Sequence, residues 1–210
     1  MRRQLINWMG MAGVVSLLSY TAAVVLASQA YPGYDWMSQA VSDLSATTAP
    51  SRALWDQLAS PDGVCSVVSA TCAAIVVTER EVSTKTFRAG VCLFALMRWV
   101  SDVGYGLFPL SEAGVGMPVF QDVMHVYVVT TAVVLLSIAS LSLLIVAGRQ
   151  DQGVRMLGRA AALALAMMLV GAVGQGLVPL AYFGVVERFS VFAAVGYDAV
   201  LGLALFRGFV

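Results

Sequence analysis

Six long apolar runs, separated by short polar stretches, set the pattern of this chain. A helix needs about 20 mostly apolar residues to cross the hydrocarbon layer of a bilayer. The runs that meet this requirement are 9–30, 62–78, 89–110, 122–147, 160–181 and 185–206. The predicted fold is therefore all-α: a single integral membrane domain, 1–210, built as a polytopic bundle of six transmembrane helices.

The polar stretches then orient the bundle. Lys and Arg accumulate in short cytoplasmic loops. With the N-terminus inside, Arg2, Arg3, Arg80, Lys85, Arg88, Arg149, Arg155, Arg159 and Arg207 fall on the cytoplasmic side, Arg52 and Arg188 fall outside, and Arg98 lies within a span. Both termini are thus expected in the cytoplasm, with the protein in the plasma membrane. The longest connection, 31–61, is then the first outer loop. Its Tyr31, Tyr34, Trp36 and Trp55 suit the headgroup layer. Two short interfacial helices are expected in it, one over 37–44 with Asp35 as cap and one over 52–58 capped by Ser51.

Composition agrees with a lipid solvent. Of 210 residues, 60% are hydrophobic and 11% charged, too little charge to cover a water-soluble surface, where about 25% is usual. Formal net charge is zero, which argues against a nucleic-acid partner. Cys65, Cys72 and Cys92 lie in apolar runs without metal or redox spacing and read as small packing residues. The Arg2-Arg3 pair and its apolar run read as a retained helix rather than a cleaved signal.

A repeat is visible within the spans. GYGLFPL (104–110) and GQGLVPL (174–180) share five of seven positions at an offset of 70 residues, each at the outer end of an outward-going helix. Spans three and four and spans five and six therefore read as parallel hairpin repeats, whose small residues favour close helix packing.

Ionisable groups inside hydrocarbon are costly and mark pairing or function. Arg98 and Asp102, four apart on one helix, can pair, and Arg98 can hold an anionic or zwitterionic headgroup. Asp122 and His125 open span four, so His125 is a candidate catalytic base with Asp122 or Asp43 as its orienting acid. Ser38, Ser42 or water would be the nucleophile. Glu187 lies at the outer boundary of span six, and Asp198 eleven residues further on, about 16 Å deeper, where Gln175 or a tyrosine is a candidate partner. The ligand-binding candidates are Arg98, Asp102, Glu187, Asp198 and Gln175; the catalytic ones are His125, Asp43 and Asp122. The spacing of these residues does not establish a metal site. Walker, HExxH, GxSxG and dinucleotide motifs are absent, and no cofactor is expected.

The segments YPGYDWMSQAVSDLSA, GYGLFPLSEAG and FQDVMHVYV, on a six-span plan, resemble the DUF998 family of prokaryotic integral membrane proteins. That family is distantly similar to the Frag1/DRAM/Sfk1 group, associated with lipid organisation or lipid-anchor handling. The resemblance implies that Ser42-Asp43, Pro109 and His125 are recurring polar landmarks. It implies a lipid-linked role by analogy only, because a fold does not determine an activity. The leading expectation is a protein that binds or organises membrane lipid at an outward-facing polar cavity. The alternatives are an intramembrane lipid hydrolase or acyl transferase using His125, and a small transporter. Nothing in the sequence points to a homo-oligomer.

Overall fold

The computed structural model describes residues 4–112 and 119–209, in which every regular element is helical. Arg2 and Arg3, on which part of the orientation argument rests, lie outside the described residues. Six long helices make the bundle: α1 Met11–Gln29, α2 Arg52–Glu79, α3 Lys85–Leu107, α4 Phe120–Gln150, α5 Arg155–Gly174 and α6 Phe183–Arg207. Five are long and apolar enough to cross a membrane. The other, α3, is 23 residues long but carries Arg98 and Asp102 in its apolar stretch.

Successive helices pack antiparallel as neighbours, and α6 returns against α1 and α2, so the six form a closed ring. One end of the ring holds Arg80, Lys85, Arg149, Arg155 and Arg207; the other holds the 30–51 segment and the turns after α3 and α5. Local chemistry sets these turns. The Thr84 hydroxyl accepts from the Phe87 N–H and starts α3, an N-cap bond. Gly208, at φ 85°, ends α6 in the left-handed conformation that glycine adopts without cost.

Toward the basic end the ring is solid. Phe87, Phe94 and Met97 of α3, Leu141 and Leu144 of α4, and Leu201 and Leu205 of α6 are fully buried there. The outer faces are apolar too: Leu18, Val64, Leu135 and Leu163 are each more than 60% exposed, which suits contact with acyl chains and not with water. Glycines set the closest approach. A Cβ at Gly13 would lie 2.8 Å from the Asp198 carbonyl oxygen, and one at Gly202 would strike the Gly10 carbonyl oxygen.

The two GxGLxPL copies share a packing role at their first glycine. An added Cβ at Gly104 would come within 2.8 Å of Val129 on α4, and one at Gly174 within 3.1 Å of Val186 on α6. The second glycines, Gly106 and Gly176, meet no such neighbour.

Two sequence expectations differ from the fold. α2 begins at Arg52 rather than 62, absorbing the second interfacial helix and running through Pro61. The Gln57 carbonyl, which Pro61 cannot bond, faces the Ser60 hydroxyl at 3.5 Å, and Ser19 of α1 donates to the Leu58 carbonyl. Hydroxyls compensate proline in this way within membrane helices. Ser51 does not cap α2; its Oγ donates to the Leu44 carbonyl at 2.8 Å. Over 37–44 the chain forms turns and the start of a single 3-10 turn, Ser42–Ser45, in place of a helix.

Candidate functional site

The 30–51 segment is a lid pressed into the open end of the ring. Its own Ala40, Val41, Leu44, Ala46 and Ala49 are buried. Two adjacent residues of α6 hold it by its backbone. Glu187 Oε2 accepts from the Val41 N–H at 2.6 Å. Arg188 donates to the carbonyls of Trp36 (2.7 Å) and Gln39 (3.2 Å) and to the Tyr34 hydroxyl (2.9 Å), and also to its own Gly184 carbonyl (2.7 Å). Gly184 allows the approach, since a Cβ there would come within 2.6 Å of the Trp36 oxygen. Burial pushes the Tyr34 hydroxyl up to about 12, so it remains an O–H donor to the Ala40 carbonyl at 2.6 Å. Thr47 ties the far side of the lid to the Leu110 carbonyl through its N–H and its hydroxyl, both at 2.9 Å.

Arg188→Ala should free the lid. Chymotrypsin is expected to cut at Tyr34 and Trp36 at least about tenfold faster, matching the ~1.5 kcal/mol of one hydrogen bond to a charged group. Arg188→Lys should fall between, because a point charge cannot span the same oxygens. Unchanged cleavage in the alanine variant would show that the guanidinium does not hold the lid.

Below the lid lies an ionic cluster. Arg98 of α3, only 3% exposed, stands between Asp62 of α2 at 3.5 Å and Asp102 of its own helix at 3.6 Å. Ser16 donates to Asp62 Oδ1 at 2.5 Å and Ser66 to Asp102 Oδ2 at 2.6 Å. Asp198 of α6, fully buried, lies within electrostatic reach of Arg98, Asp62 and Asp102 with the Ser69 hydroxyl beside it. Three carboxyl groups from three helices thus surround one guanidinium. The expected Arg98 and Asp102 pair is present, and Asp62 is the partner that the sequence reading missed. Its place directly after Pro61 reads as the first residue of a span, whereas in the structure it lies ten residues into α2.

His125 takes a position of its own. It sits in a π-helical turn, Met124–Val129, where the Thr130 hydroxyl donates to the His125 carbonyl at 2.9 Å. Turns of this kind are rare and frequent at functional sites. Its Nδ1 faces the Phe108 carbonyl at 2.7 Å, and its ring lies 4.6 Å from that of Tyr105. A carbonyl oxygen can only accept, so Nδ1 carries the hydrogen and donates, and Nε2 is left to accept a hydrogen bond or a proton. Asp122 does not orient the ring. Its carboxylate accepts from the Ser111 N–H (2.8 Å) and hydroxyl (2.6 Å) and reaches back to the Val119 N–H (3.3 Å), fixing the start of α4. Asp43 accepts from the Ala40 N–H at 3.1 Å, within the lid. Ser38 is turned toward Asp35, to which it donates at 2.6 Å.

Between lid and cluster is a cavity of about 910 Å³, within the range of pockets that take small molecules. Arg98, Asp102, Glu187, Gln175 and His125 all line it; Asp43, Asp122 and Asp198 do not. The wall from α2 and α3 is largely polar, with Asp56, Ser60, Asp62, Arg98, Ser101 and Asp102. The opposite wall, from α4, α5 and α6, is apolar over Val133, Val134, Leu135, Met168, Val191 and Ala194 and also carries His125, Gln175 and Glu187. Leu135 is 61% exposed on the outside of the bundle, so the apolar wall reaches the lipid-facing surface. Among the described residues no group of three His, Cys, Asp or Glu is placed to hold a metal ion.

A family model described as "Protein of unknown function (DUF998)" matches residues 14–204. No curated protein and no solved structure matches the chain.

Proposed function

The chain belongs to the DUF998 family, whose function is unknown, and from the cavity described above we propose that it binds a membrane lipid with the polar end beneath the lid. The observation that carries this reading is the division of one cavity of about 910 Å³ into an ionic wall and an apolar wall that reaches the bilayer-facing Leu135. An amphipathic molecule places its two halves against such walls without leaving either unsolvated. In this reading the cytoplasmic face of the plasma membrane lies at the basic end, as the distribution of Lys and Arg favours, and the lid faces outward. Arg98 serves mainly as the internal counter-ion of Asp62 and Asp102, whose carboxylates already share its charge.

Two glycines provide a test that leaves the ionic cluster intact. Gly63 of α2 and Gly106 of α3 both line the cavity, and a Cβ added to either meets nothing within 4 Å. Gly63→Phe and Gly106→Phe should fill the space without opposing backbone. Native mass spectrometry of gently purified protein is expected to show one lipid class on the wild type, reduced at least about tenfold in the filled variants. Their unfolding midpoints should stay close to wild type, since replacing a helical glycine gains up to about 1 kcal/mol. A wild type that retains no lipid in several mild detergents, or filled variants that retain as much, would overturn the proposal.

A second reading, a lipid hydrolase with His125 as base, is supported by the π turn and by the free acceptor role of Nε2. Water or Ser42 would be its nucleophile. His125→Ala would then abolish ester turnover while leaving lipid retention intact.

A further inference from the structure

We infer that the ligand of this cavity carries an ammonium group, an inference that rests on the reading of the cavity as a binding site. Charge balance is the first ground. Arg52 is committed to Asp56 at 2.7 Å, a neutral pair at the rim. Arg98 is shared by Asp62 and Asp102, so one guanidinium faces two carboxyl groups. Glu187 adds a further acid from the opposite side, beside Arg188, which is itself spent on lid carbonyls. Behind the wall, Asp198 adds to the same sign. The cavity thus holds four carboxyl groups against two guanidinium groups, with His125 as the remaining ionisable group apart from tyrosines. Out of bulk water the excess carboxyl groups are costly to ionise without a matching cation. An anionic headgroup would add to the imbalance, whereas an ammonium group would offset it.

The second ground is aromatic. Tyr20, Trp55 and Tyr105 line the same space. Tyr20 meets Trp55 edge to face, with ring centroids 5.8 Å apart. Ring faces attract cations, and aromatic cages with acids are a recurring solution for ammonium recognition. The phenol oxygens and the Nε2 of His125 supply hydrogen-bond acceptors, which a primary ammonium with three N–H donors can use. Acid, ring and acceptor from α1, α2, α3, α4 and α6 therefore line one cavity.

The shared chemistry is an ammonium, and its source is either an amine-bearing phospholipid or a small free amine. The test compares delipidated protein supplied with phosphatidylethanolamine or phosphatidylglycerol of identical acyl chains, read by native mass spectrometry. A parallel arm follows the thermal midpoint with n-butylammonium chloride against sodium chloride at the same ionic strength. The expected result is at least tenfold more phosphatidylethanolamine retained than phosphatidylglycerol. Glu187→Gln keeps an oxygen for the Val41 N–H, and Asp102→Asn keeps one for Ser66; each should cut that preference to about threefold or less. The two variants sit on different helices, so misfolding of one leaves the other to decide.

Equal retention of the two lipids, a preference for phosphatidylglycerol, or a preference untouched in both folded variants would overturn the ammonium inference while leaving lipid binding in place. Stabilisation by butylammonium without retention of either lipid would support the ammonium inference and overturn the lipid reading. Absence of both effects would overturn both.

Discussion

Arg98→Ala is expected to be the most damaging single substitution in this protein, lowering the free energy of unfolding by about 3–5 kcal/mol, the usual cost of removing one partner from a buried charge pair. The side chain is 3% exposed, and alanine would leave Asp62, Asp102 and Asp198 facing one another without a cation. Membrane burial aggravates this, because charged groups in hydrocarbon persist only when paired or hydrated. The loss should be reversible by chemistry rather than by shape. With Asp62→Asn and Asp102→Asn added, Arg98→Met should recover more than half of the lost stability, since apolar or neutral replacement of a whole buried ion cluster is often tolerated. SDS-titration unfolding of the single and triple variants measures both numbers. An Arg98→Ala protein within 1 kcal/mol of wild type would mean that the cluster carries little stability.

The second large effect is steric. Gly202→Ala places a methyl against the Gly10 carbonyl oxygen and 2.9 Å from Ser69 Oγ. The obstacle is backbone, so neither partner can rotate away, and the cost should reach about 3 kcal/mol, the upper part of the overpacking range. A control lies six residues earlier on the same helix. A Cβ at Gly196 meets nothing within 4 Å, and Gly196→Ala should be neutral or stabilise by up to about 1 kcal/mol. Equal unfolding midpoints for the two variants would show that α1 and α6 do not approach as closely as their glycines imply.

What the sequence disclosed follows from the range of the interactions concerned. The six helices were legible because a bilayer demands long apolar runs. Arg98 and Asp102 were legible because four residues make one helical turn. Asp62 was obscured by a local signal: Pro61 reads as a helix boundary, yet Ser60 and Ser19 supply hydroxyls where the helical bonding pattern is broken. Asp122 shows the opposite effect. Its spacing from His125 suggests a pair, but its carboxylate serves backbone and side-chain donors at the start of α4. The hold of Glu187 and Arg188 on the lid was out of reach, because the groups they bond lie 146 to 154 positions away in sequence. The π turn at His125 left no sign in an otherwise regular apolar pattern.

The closed ring also fixes an order of assembly. The glycine face of α1 leaves the ribosome well before α6, the helix that fits it, with four long helices made between them. Until α6 inserts, Gly10 and Gly13 have no backbone to pack against, the lid has no Glu187 or Arg188 to hold it, and the Asn7 amide has no Leu205 carbonyl, which it reaches at 2.8 Å. Maturation therefore depends on contacts of long sequence separation, which form late. A nascent chain stalled before α6 presents an open polar wedge within the bilayer, where unpaired charged groups are costly.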